Sequence, residues 1–338
     1  MQRYALGGLF VAIAACSSGC YLGHLAIGQT RLLQARQPIE AVLADPATPP
    51  EILDRLQLVV EAREFADALG LDVSGQYTSF VPWPGDRVVT SVVATRPGEV
   101  TPAGFRFPLL GELPYKGFFD RERADREAAA LRAKGLDVCQ FGARAYSTLG
   151  WLDDPVTGPM LRSEEGQLVE TIIHELVHAT IYVRDHVDFN ESVASFIGQE
   201  GSVLFYEGRG QVARARLRRH EIRDARTIDS ELMLLRDQVA ELYASGEGGA
   251  ARQREREQLG VRGRERISRL SIESADAVDL AGSLRLNDAC LALTGTYSAD
   301  IEDYSQLLGR LGGELPAFIS RLQTAADAED PVAALLRD

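Results

Sequence analysis

Apolar positions between residues 25 and 70 recur at three- and four-residue steps, first as Leu32, Leu33, Ile39, Val42 and Leu43, then as Ile52, Leu53, Leu56, Leu58, Val59 and Val60. That period predicts two helices parted at Pro49 and Pro50, prolines that suit the first turn of the second. Val81 to Asp86 reads as a loop, and Val88 to Ala94, rich in Val and Thr, as a strand. Phe105 to Phe119 mixes aromatic residues with Pro and Gly and predicts strand and loop. Arg121 to Lys134 is an Ala- and Glu-rich helix stopped by Gly135, and Leu136 to Tyr146 is a second strand. Two helices follow, Glu164 to Val183 and Asn190 to Glu207. Farther on, Ile228, Leu232, Leu235, Val239 and Leu242 alternate by four and three, the seam of a coiled pair. A Gly-rich break at Ser245 to Gly249 turns this stretch into a helical hairpin. The fold class is therefore α+β, predominantly helical, with a small sheet, flanking N-terminal helices and a long C-terminal hairpin.

Composition narrows the function. The 338 residues are 45% hydrophobic and 25% charged, as in folded proteins. Lys and Arg number 36 against 49 Asp and Glu, a net charge of −13, which is the wrong sign for a nucleic-acid binder. The arginines of the hairpin are interleaved with acids and read as a solvated face. Of four cysteines, Cys16 and Cys20 sit near the N-terminus. Cys139 falls in a strand and Cys290 in a helix; an oxidising compartment permits a bridge between them without establishing their proximity.

The N-terminus has the form of an export signal. Arg3 is followed by an apolar run from Tyr4 to Ala15 and then by small residues, Cys16-Ser17-Ser18-Gly19-Cys20. A cysteine after small residues suggests a bacterial lipoprotein, and Ile13-Ala14-Ala15-Cys16 and Ser17-Ser18-Gly19-Cys20 are both candidate lipidation sites. An uncleaved membrane anchor is the alternative, since no charged residue occurs from Tyr4 to Thr30. Either way the folded part lies outside the cytoplasm.

Three of five histidines fall in one stretch, and His174-Glu175-Leu176-Val177-His178 is an HExxH motif. On a helix, positions i and i+4 share a face, so both imidazoles reach one ion while Glu175 points into the same cavity. This donor chemistry suits Zn2+ with a water in the fourth position, and Glu175 as the base that deprotonates it. Val169, Ile172, Leu176, Ala179 and Val183 form the buried stripe opposite His174. Ile181 and Arg184 stand where a metzincin needs Gly and His. Glu191 is the candidate third ligand, because Ala194, Ser195, Gly198 and Ser202 share its face and would let the two helices approach. His186, Asp185 and Asp188 are competing ligands. Tyr146, Tyr182, His186 and Tyr297 are candidate donors to a reaction oxyanion, with Tyr297 preferred.

These residues, together with Gly19-Cys20-Tyr21-Leu22, Leu113 to Asp120, Ala145 to Trp151, Phe189-Asn190-Glu191 and Leu286-Asn287, carry a resemblance. The chain is similar to the family of bacterial predicted aminopeptidases, zinc-dependent lipoproteins of the cell envelope. The resemblance implies Zn2+ held by His174, His178 and Glu191 as in gluzincins, Glu175 as base, peptide substrates, and lipidation at Cys20. It further implies a membrane-anchored protein facing the periplasm. In zincins the strand before the metal helix lines the cleft, which makes Tyr146, Ser147 and Thr148 candidate substrate-binding residues. The domain reading is a signal peptide over 1–20 and one metallopeptidase domain over 21–338. That domain divides into a helical part (21–85), a zincin-like core (86–208) and a helical C-terminal part (209–338). The reading from another class is a non-catalytic, zinc-containing envelope protein that binds a partner.

Overall fold

Pro38 interrupts the first predicted helix well before Pro49 does. The computed structural model describes residues 21–107, 111–145, 153–184, 186–246, 248–294 and 300–337. Helix α1 covers residues 21–34. A bend at residues 35–38 leads through β1 (Gln37–Pro38) into α2 (Ile39–Ala44) and then α3 (Pro50–Ala68). Proline lacks an N–H and its ring clashes with the preceding turn, so the continuous apolar period did not make one helix of 25–44. Cys16, Cys20, Tyr146, Ser147, Thr148, Asp185 and Tyr297 lie outside the described residues.

Strand β2 (Ser79–Val81) pairs antiparallel with β1. Strand β3 (Val89–Thr95) is buried at every position. After it come the hairpin β4 (Phe105–Phe107) and β5 (Gly111–Leu113), then β6 (Lys116–Phe118), helix α4 (Arg121–Ala133) and β7 (Asp137–Ala143). Antiparallel pairing on both sides puts β3 at the centre of a sheet ordered β6-β3-β7. Asp120 caps α4 by accepting from the N–H groups of Glu122 and Arg123, and Gly135 ends that segment at φ +80°. The strand expected from Leu136 to Tyr146 stops at Ala143. Strand β8 (Val156–Thr157), parallel to β2, and α5 (Gly158–Leu161) intervene before the metal-motif helix.

That helix is α6 (Glu165–Thr180), four residues shorter than expected, and α7 (Val187–Gly208) begins three residues earlier than expected. Leu168, Val169, Ile172, Ile173 and Leu176 of α6 join Leu56 and Val59 of α3 and Phe196 of α7 in the main core. The predicted hairpin is present as α8 (Val212–Ala244) and α9 (Gly249–Ser268), with Leu235, Val239 and Leu259 packed between the arms. Helices α10 (Ala277–Ser283), α11 (Asp288–Leu291), α12 (Ile301–Arg310), α13 (Leu315–Ala325) and α14 (Pro331–Leu336) follow. Tyr304 and Phe318 of α12 and α13 close the main core.

Cys139 of β7 and Cys290 of α11 form a disulfide, their Cα atoms 5.0 Å apart across a sequence separation of 151. Beside it, Asn287 Nδ2 donates to Asp137 Oδ1 (2.9 Å) and to the Val138 carbonyl (3.2 Å), and Arg285 donates to the Gln140 carbonyl (2.6 Å). These side chains occupy carbonyls on the outer edge of β7, so that part of the strand is not open for pairing with a substrate backbone.

Candidate metal centre

The metal motif stands on α6 with its apolar stripe buried and its histidines turned toward α7. His178 is 3% exposed and His174 is 15% exposed. Their Nε2 atoms lie 3.1 Å apart. Glu191 Oε2 lies 3.5 Å from His174 Nε2, and Oε1 lies 3.6 Å from His178 Nε2. Among the described residues, His174, His178 and Glu191 are the group of side chains whose donor atoms converge as metal ligands do. Donors bonded at 2.0–2.2 Å to a tetrahedral ion are separated by roughly 3.3–3.5 Å, so these edges fit one ion.

Glu191 reaches the site because α7 begins at Val187, which sets it in the second turn rather than at the helix start. Asn190 pins the connection: its Oδ1 accepts from Val183 N–H (2.9 Å) and its Nδ2 donates to the Val183 carbonyl (2.7 Å). The face of small residues does what its spacing predicts. Ala194 is fully buried, and a Cβ at Gly198 would stand 3.3 Å from the His174 Cβ. His186 and Asp188, the described competitors for the third position, are exposed and outside the cluster.

Electrostatics favour a cation here. Burial alone would raise the Glu191 carboxyl, but hydrogen bonds and charge from His174 and His178 outweigh it and hold the group at about 2. Burial likewise works to lower His178, yet the Glu191 hydrogen bond and the charges of Glu175 and Glu191 raise it above its ordinary value. Ser195 Oγ lies 3.5 Å from His174 Nδ1, an outer contact that steadies the ring and leaves Nε2 as the ligand atom. Glu175 Oε2 is buried and has no hydrogen-bond partner among the described residues.

Two tyrosines lie near the site: Tyr115 feels the charges of Glu191 and Glu175, and Tyr182 lies close to Tyr115. Tyr182, in the α6–α7 connection, is 46% exposed, and Tyr115, at the β5–β6 turn, is 36% exposed. The Tyr115 ring packs edge-on against Phe141 at 6.1 Å. Desolvation of its phenol, then the charges of Glu191 and Glu175, push that hydroxyl up to about 12. Tyr77 is buried behind the site at φ +55°, and burial followed by the charge of Glu175 raises its phenol well above the usual range. Sequence reasoning missed Tyr115 as a site residue: the stretch Leu113 to Asp120 is part of the resemblance, but nothing local says that it folds over the metal helix.

No curated protein and no solved structure matches the chain. The sequence model of the family described as "Putative aminopeptidase" matches residues 20–333. With a match over that span, the chain belongs to the putative aminopeptidase family.

Proposed function

We propose that the protein is a zinc-dependent peptidase, gluzincin-like in its ligands, anchored to the bacterial cell envelope through lipidated Cys20 and facing the periplasm. The observation that carries this reading is the convergence of two imidazole nitrogens and one carboxylate on a single point beside a buried carboxylate oxygen that has no partner among the described residues. His174, His178 and Glu191 would hold the ion, and two nitrogens with one oxygen suit zinc. Zinc, when bound, acidifies a coordinated water and polarises the scissile carbonyl.

The residues of the chain do the rest. Glu175 accepts the proton of the attacking water and delivers it to the leaving amine. Its Oε2 has no partner among the described residues, so none of them competes for that proton. Ser195 holds the His174 ring in its ligating orientation. Tyr115 and Tyr182 form an aromatic border suited to apolar side chains flanking the cleaved bond. Tyr146, Ser147 and Thr148 are proposed to bind the substrate backbone, and Tyr297 to donate to the oxyanion. Residues 21–338 are proposed to form one zincin-like metallopeptidase domain.

The test is metal analysis of the purified protein combined with cleavage of a peptide library containing free and blocked N-termini. Stoichiometric zinc with chelator-sensitive cleavage is expected. Stoichiometric zinc with no cleavage would instead favour a partner-binding protein of the envelope.

A further inference from the structure

Among the described residues, the contacts that fasten helix α1 to the body fall along one face. Tyr21 Oη donates to the Gly117 carbonyl (2.9 Å), and the Tyr21 ring meets Phe118 at 5.3 Å. His24 lies 6.0 Å from Phe118, and a Cβ at Gly28 would stand 2.1 Å from the Phe119 ring, so only glycine allows this approach. Leu32 completes the inner face, fully buried. Opposite it, Leu22 and Ile27 are 38% and 55% exposed, with Ala26 also exposed between them. Among the described residues no helix is long and apolar enough to cross a membrane.

Charge selects the occupant of that face. The chain carries 49 acidic residues, yet the first of them is Glu40, while Arg31 and Arg36 follow the exposed apolar turns. An apolar face with flanking arginines and no acid fits an anionic lipid surface. Tyr21, held by the Gly117 carbonyl and the Phe118 ring, directly follows Cys20 in the sequence, so an acyl chain on Cys20 would be attached one residue before a side chain fastened to the body. The same segment reaches the metal centre: Lys116 stands 5.6 Å from the Tyr21 ring, and its neighbour Tyr115 borders Glu191 and Glu175.

We propose that Leu22, Ala26 and Ile27 lie in the interfacial layer of an anionic phospholipid bilayer, so that the metal centre opens beside the membrane and acts on peptide held there. This rests on the anchoring and peptidase readings above. The test uses the full-length lipidated protein in vesicles of phosphatidylethanolamine and phosphatidylglycerol. Nitroxide labels are placed by Ala26→Cys, by Ile27→Cys as a second variant, and by Val278→Cys, 64% exposed on α10, with the Cys139–Cys290 bridge kept oxidised. The labels at 26 and 27 should collide with oxygen more than with a water-soluble nickel chelate, and the label at 278 the reverse. Nickel-dominated collisions at all three positions on protein that floats with the vesicles would overturn the proposal. Protein that fails to float would overturn the anchor, and the proposal with it. A peptide joined to the headgroup by a short spacer should be cleaved about tenfold faster than the same peptide on a long one. Equal rates would overturn the membrane-facing cleft. Cleavage of neither peptide by zinc-loaded protein would overturn the peptidase reading, while the collision data would stand or fall separately.

Discussion

Gly198 of α7 faces His174 of α6 so closely that a Cβ on the glycine would lie 3.3 Å from the histidine Cβ and 3.0 Å from the Glu170 carbonyl oxygen. The spacing of the two ligand-bearing helices is therefore set by a missing side chain. Gly198→Val should force them apart and destabilise the fold by about 1–3 kcal/mol. Metal affinity should fall in parallel, because Glu191 rides on the displaced helix. Thermal melts with and without zinc, alongside a metal titration, check both effects.

The two glutamates of the site should respond differently to the same substitution. Glu191→Gln removes an anionic ligand and should empty the site at ordinary zinc concentrations. Glu175→Gln should retain zinc and lower kcat by about 10²–10⁴, since only the proton transfer is lost. Metal content and turnover measured on both variants separate the roles. Full occupancy in Glu191→Gln, with loss instead in His186→Ala, would assign the third position to the loop.

Ser195→Ala deletes the oxygen beside His174 Nδ1. The imidazole would lose its orienting partner, and zinc affinity should drop by about 10- to 100-fold with little change in melting temperature. Competition with a fluorescent chelator reads that change directly.

How far the sequence discloses this site depends on the range of each interaction. His174, Glu175 and His178 are legible because helical geometry alone puts them together. Glu191 is legible because the small residues at 194, 195, 198 and 202 mark a close helix contact before the structure supplies it. The start of α7 at Val187 was not legible, since Asn190, a natural cap by residue type, turns its amide back on Val183 instead. Tyr115 was not legible because its place depends on how β6 docks beside β3. The division of the first helix at Pro38 was available in the sequence, but the unbroken apolar period masked it.

Arg218 links the metal helices from behind. It is 6% exposed, and its guanidinium donates to Ser202 of α7 (3.1 Å), to Glu221 (2.8 Å) and to Glu170, one turn before His174. Arg218→Met would leave Glu170 without its buried counter-charge and should destabilise by about 3–5 kcal/mol. The double variant Arg218→Met/Glu170→Leu should recover much of that loss. Chemical denaturation of the single and double variants measures the coupling.

The bridge between Cys139 and Cys290 makes a ring of the chain that encloses α6, α7, α8 and α9. Exposed turns are where proteases nick a chain, and Ser245–Gly246, at the tip of the hairpin, is such a turn. A cut there leaves a fragment with both metal helices and a fragment with α9 to α14, held together by one sulfur–sulfur bond. Limited proteolysis should give one band without reductant and two with it. The nicked protein should keep its zinc until the bridge is reduced. Cut there, the chain would depend on that one covalent link to keep its two parts in one molecule.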